Sequence, residues 1–213
     1  MPDFYKAYMP GPNDPRFPPE IETNMHVTEV PISLEDSAFA NSERGLFHRY
    51  VTDLDLTPDD FKKAILDVGA DGAKFANFAK ENGISDNIFS VDIGHNLAGK
   101  QKAVRADANA LPFKDSSFDL VISHYSVPGH EDTAIIREMI RVAKKEVRFG
   151  LKNMGTNNQV IKREYDSLKA TLENLAREEN LTVEEVPKEL RRRKDSTAKG
   201  FFSYFRIIKP SHQ

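Results

Sequence analysis

The chain has 213 residues, with 30 Lys and Arg against 33 Asp and Glu, a formal net charge of -3 and 39% hydrophobic residues. That balance fits a soluble globular protein with one sizeable core, and the charge supplies no global attraction to nucleic acid. Cysteine is absent, which excludes disulfides, thiolate metal sites and a cysteine nucleophile and fits a cytoplasmic protein.

Residues 1–31 carry seven of the twelve prolines. Proline at this density blocks helix and strand ladders, so 1–33 is expected to be an irregular arm, separate from a single domain over 34–213. Its opening residues, Met1-Pro2-Asp3-Phe4-Tyr5, lack the pattern of a signal peptide. No run in the chain approaches the roughly 20 apolar residues that span a bilayer. Leu34 to Leu54 reads as helical. Thr57-Pro58-Asp59-Asp60 then predicts a short helix through Lys63, with Thr57 as its cap and Pro58 at its first position.

The apolar run Ala64-Ile65-Leu66 leads through Asp67 and Val68 to a break at Gly69. After Gly72 the apolar residues recur at helical spacing until Asn82-Gly83. This is a buried strand, a tight turn and a helix closed by a glycine. Such a turn lets a ligand approach the backbone and aims a helix N-terminus at it. Asn87–Asp92 reads as a second strand ending in an acid, about 25 residues past Asp67. A carboxylate there can accept both hydroxyls of a ribose. Ala103–Ala108 predicts a third strand, again closing on an acid, Asp107. Phe118 to Ser123-His124 predicts a fourth.

Glu131–Ala143 predicts an amphipathic helix and Glu146–Leu151 a fifth strand. A long helix over Ile161–Glu179 follows, then strands over Leu181–Val186 and Phe201–Ile208. Strands alternating with helices imply a parallel sheet covered on both faces, with ligands outside its carboxyl edge. Asp67, Gly69, Asp92, Asp107 and Ser123-His124 all fall at that edge. A nicotinamide fingerprint needs glycine at 71 and 74, where Asp71 and Lys74 stand, and the Gly-Lys-Ser/Thr ending of a phosphate loop is absent.

Asp67-Val68-Gly69-Ala70-Asp71-Gly72-Ala73 resembles motif I of the class I S-adenosylmethionine-dependent methyltransferases, Asp/Glu-x-Gly-x-Gly-x-Gly. Asp71 and Ala73 replace its second and third glycines. Asp107-Ala108, Leu111-Pro112-Phe113 and Ser117-Phe118-Asp119-Leu120-Val121-Ile122-Ser123 resemble the later motifs of its small-molecule, type 11 branch. The resemblance covers roughly residues 61–151 well. It implies an α/β fold, doubly wound, with a mostly parallel seven-stranded sheet, helices on both faces and the last strand antiparallel.

It further implies S-adenosyl-L-methionine as cofactor, held by Asp67, Gly69, Ala70, Gly72, Asp92, Ile93, Asp107, Ala108 and Ser123. Asp107 and Ala108 would read the adenine. The expected activity is methyl transfer to an oxygen or nitrogen of a small molecule, with His124, Tyr125 and His130 as candidate catalytic residues. No metal constellation and no membrane partner is expected. The Asn/Asp-Pro-Pro-Tyr/Phe motif of exocyclic-amine nucleic-acid methyltransferases does not occur at Ser123-His124-Tyr125-Ser126. Two alternatives stay open. One is an RNA-directed enzyme using the basic segment 188–194. The other is a catalytically silent binding module, because Asp71 beside a methionine carboxylate would repel it.

Overall fold

The computed structural model describes residues 42–97, 99–127, 133–150, 159–189 and 201–210. The arm expected over 1–33, His130 and the basic run Arg191–Lys194 lie outside them. Helix α1 spans Glu43–Asp53, capped by Ser42, whose Oγ accepts from Gly45 N at 3.0 Å. Phe47, Tyr50, Val51 and Leu54 recur one helical turn apart and are all buried. After α1 the expected helix is a single 3-10 turn, Asp60–Lys62. Thr57 does not cap it. Its N–H and hydroxyl both donate to Asp60 Oδ2 at 2.9 Å, because Asp60 is buried and needs donors.

The elements that follow are β1 (Ile65–Val68), α2 (Lys74–Glu81), β2 (Ile88–Asp92), β3 (Ala103–Arg105) and β4 (Phe118–His124). Then come α3 (Thr133–Val142), β5 (Ala143–Gly150), α4 (Gln159–Glu178), β6 (Thr182–Glu189) and β7 (Phe201–Ile208). The strands form one sheet in the order β3-β2-β1-β4-β5-β7-β6. β1 to β5 pair in parallel, and β7 runs antiparallel to both β5 and β6. The fold is therefore the doubly wound, seven-stranded α/β architecture that the sequence implies. The chain reverses direction across the sheet between β1 and β4, which makes their carboxyl ends the switch point where ligands bind.

Two elements are shorter than expected. β3 stops at Arg105, so Asp107 lies in the turn beyond it rather than at its tip. α3 ends at Val142, and Ala143 already opens β5 opposite Phe118, where the β4–β5 register slips. Among the described residues, no helix is long and apolar enough to cross a membrane.

Side-chain alternation divides the core in two. Leu66, Val68 and Val121 face a cluster with Ile136, Met139 and Leu172 of α3 and α4. Ile65, Leu120 and Ile122 face the other, with Phe47, Tyr50 and Phe75 of α1 and α2. Asp67 and His124 stand two residues on from Ile65 and Ile122, so both point to the α1 side. On that side Arg148 of β5 pins the end of α1. Its guanidinium donates to the carbonyls of Leu54 (3.3 Å) and Asp55 (2.8 Å), to Asp60 Oδ2 (3.1 Å) and to Glu146 Oε1 (2.6 Å). Arg206 of β7 also donates to Glu146. A buried arginine with both charge partners and spare donors satisfied is tolerated where an unpaired one is not.

Candidate functional site

The turn after β1 is built on four left-handed residues. Gly69 (φ 78°) and Gly72 (φ 79°) adopt this conformation freely, but so do Asp71 (φ 35°) and Ala73 (φ 59°). The two positions where the motif has glycine and this chain has Asp71 and Ala73 adopt a glycine-like backbone at a steric cost. Asp71 turns its carboxylate outward, where Lys74 Nζ donates to it at 2.9 Å and Asn96 Nδ2 at 3.0 Å. Its negative charge is thereby paired at the surface.

Asp67, the residue before the last of β1, is fully buried, and neither carboxylate oxygen has a hydrogen-bond partner. Burial pushes its pKa up to about 8, the charge of Asp92 adds to the rise, and the nearby Tyr50 phenol opposes it without reaching bonding geometry. An orphaned buried carboxyl costs free energy unless a donor or cation arrives to meet it.

At the end of β2, Asp92 ties the turn together, accepting from Asp71 N (3.0 Å) and Gly94 N (2.8 Å). A carboxylate has about four lone-pair sites, so two remain for a diol. Ile93, next in the chain, is 66% exposed, an unusual position for a large apolar side chain. Asp107 is exposed and accepts from the backbone N (2.9 Å) and the side-chain Nδ2 (3.0 Å) of Asn109. The half-buried Ala108 packs against the core. Leu111-Pro112-Phe113 is held from α3. Glu138 accepts from Leu111 N at 2.8 Å, and Arg141 donates to the carbonyls of Leu111 (3.0 Å) and Phe113 (2.8 Å).

At the end of β4, Ser123 is fully buried and its hydroxyl donates to Val68 O at 2.9 Å, joining β4 to β1. His124 is also buried. Its Nε2 lies 2.9 Å from Asp53 Oδ2, the oxygen that also accepts from Tyr125 Oη at 2.9 Å. Burial pushes the His124 pKa down, while Asp53 draws it back up. Beyond Tyr125, Ser126 folds over the first turn, its Oγ donating to Gly69 O at 3.0 Å.

Tyr50 and Asp53 are the residues that sequence reasoning missed. The available signal was their spacing of three on a helix, which puts them on one face. Two open clefts, of about 440 and 400 Å³, lie elsewhere, around Ser85–Asn87 and Gly99–Lys102 at the amino ends of β2 and β3.

This strand order, with an acid and a left-handed turn closing β1 and a second acid closing β2, defines a class I methyltransferase fold. Residues 66–150 match the family model described as a methyltransferase domain. No curated protein matches in sequence. Among solved structures, an S-adenosylmethionine-dependent methyltransferase from Mesorhizobium loti superposes with a TM-score of 0.56 at 15% identity, over 80% of this chain and 100% of that one. One from Archaeoglobus fulgidus gives 0.54 at 18%, over 83% and 98%. The magnesium protoporphyrin IX methyltransferase of Synechocystis, solved with bound S-adenosylhomocysteine, gives 0.52 at 11%, over 90% and 93%.

S-adenosylmethionine is the cofactor that this domain and fold imply, and the residues present fit it. Asp67 is a buried carboxyl lacking a cationic partner, and the backbone of the turn is left-handed where the motif has glycine.

Proposed function

We propose that the protein transfers a methyl group from S-adenosylmethionine to an oxygen or nitrogen of a small-molecule acceptor. The observation that carries this reading is Asp67. It is a fully buried carboxyl with both oxygens unpartnered, at the carboxyl end of the strand that enters the left-handed turn. The ammonium of a methionine tail would supply the missing donor. Asp92 would accept from the ribose hydroxyls, Ile93 would lie against the adenine face, and Asp107 with the backbone of Ala108 would read the adenine edge. Gly69, Ala70 and Gly72 would line the tail, and Ser123 would support it from beneath by fixing β4 to β1.

When bound, the cofactor supplies a methyl group activated by a positively charged sulfur. The chain's own part is to hold the acceptor in line with that methyl and to take up its proton where it has one. His124, which ends β4, and Tyr125 and His130, which follow it in the sequence, are the groups assigned to that task. Asp71 presents no obstacle, since its charge is paired with Lys74 at the surface.

Calorimetric titration with S-adenosylmethionine and S-adenosylhomocysteine, alongside Asp92→Asn, tests the reading. Micromolar binding weakened by the substitution is expected, on the order of tenfold for one lost charge-assisted bond. Absence of binding to both ligands at millimolar concentration would overturn it.

A further inference from the structure

α1 lies upstream of the matched methyltransferase domain, yet its last turn reaches the ends of two strands. Tyr50 packs at a tilt of 32° on the His124 ring with centroids 4.4 Å apart, and Tyr125 packs on it at 55° with centroids 4.0 Å apart. The His124 side chain is only 4% exposed, against 19% for Asp53. A single carboxylate oxygen, Asp53 Oδ2, meets both His124 Nε2 and Tyr125 Oη at 2.9 Å.

A carboxylate is an acceptor only, so both partners must donate to it. His124 then carries its proton on Nε2, and the Tyr125 hydroxyl hydrogen turns inward. Tyr125 does this from a left-handed backbone (φ 63°), a conformation that is strained for a non-glycine residue and persists where the surroundings over-determine it. The charged groups facing His124 are Asp53 and Arg49, both from α1. The Arg148 bonds to Leu54 O and Asp55 O hold the chain just past Asp53.

We propose that Asp53 is the positioning residue of the acceptor side of the site: it fixes His124 as the Nε2–H tautomer and turns the Tyr125 phenol inward. With both hydrogens engaged on Asp53, the pair has only lone pairs left to offer the acceptor. This arrangement suits an acceptor that brings its own hydrogen-bond donor, a hydroxyl or an amine, and disfavours a carboxylate, which would face lone pairs. The proposal rests on the methyltransferase reading above and deepens it.

The test is ¹⁵N NMR of histidine-labelled protein, with the His124 ring assigned by His124→Gln and S-adenosylhomocysteine as the added ligand. In the wild type the His124 signals should show hydrogen on Nε2 and a bare Nδ1, and they should shift when the ligand saturates the protein. In Asp53→Asn the tautomer preference should be lost and the His124 pKa should fall, since Arg49 remains and Asp53 no longer opposes burial. Calorimetric affinity for the ligand should stay within about twofold.

If the ligand binds but the His124 signals do not move, or if Asp53→Asn leaves the tautomer unchanged, the assignment to Asp53 is overturned and the methyltransferase reading stands. If the wild type binds no S-adenosylhomocysteine, that reading fails and the proposal falls with it. Should Asp53→Asn not fold, Tyr125→Phe addresses the same oxygen. Removing one of its two donors should raise the His124 pKa, and an unchanged pKa would overturn the proposal.

Discussion

Ser126 lies directly over Gly69. Its hydroxyl donates to the Gly69 carbonyl at 3.0 Å, and a Cβ added to Gly69 would come within 2.1 Å of Ser126 Cβ. Gly69→Ala therefore meets a collision as well as a left-handed backbone (φ 78°). A loss of about 2 kcal/mol or more in urea unfolding is expected. Adding Ser126→Gly should recover the part due to the collision and leave the backbone part. Full recovery would mean that the φ angle carries no cost.

Ala73 offers the opposite case. An alanine at φ 59° is strained where glycine would not be. Ala73→Gly should be neutral or stabilising, within about 1 kcal/mol, since relief of the strain offsets the greater freedom of the unfolded chain. Ala79→Gly, within α2 and fully buried, is the control. It should lose about 1 kcal/mol or more. Equal losses at the two sites in parallel denaturation curves would contradict the left-handed turn.

Asp67 makes stability depend on pH. Its pKa is raised from 3.8 to about 8, chiefly by burial. The stability favouring the neutral acid is fully present below the unfolded value and is lost as pH rises through the folded one. Thermal midpoints of the ligand-free protein should therefore fall as pH climbs toward 8, and Asp67→Asn should flatten that fall. A variant curve parallel to the wild type would show that Asp67 does not titrate there.

The Arg148 cluster should be costly to open. Arg148→Met removes the donor shared by Glu146 and Asp60 while leaving both acids buried, so a loss of about 3–5 kcal/mol is expected by urea unfolding. Lys63 and Arg206 still pair with these acids and should hold the loss toward the lower end.

The sheet was legible because its strands are short apolar runs punctuated by glycine or acid, and the Asp67 and Asp92 ends fell where expected. β3 was overextended, because Ala106-Asp107-Ala108 continues its alternation although the chain has already turned away. The roles of Glu138 and Arg141 were unreadable, since their bonds to the 111–113 loop span 27 to 30 residues. Asp53 was harder still. Its contacts lie 71 and 72 residues away, and nothing local says which helix will cover the β4 face. Period-two alternation does put Asp67 and His124 on one face, which narrows the search to whatever packs there.

Among the described residues, β7 is the last strand in sequence but not the last in space: it lies between β5 and β6, with Phe205 opposite Phe149. During synthesis the inner edge of β5 thus stays unpaired until residue 208 has left the ribosome. A nascent chain stalled before that point would expose the backbone of a mostly buried strand to any passing extended segment, including its neighbours on the same message.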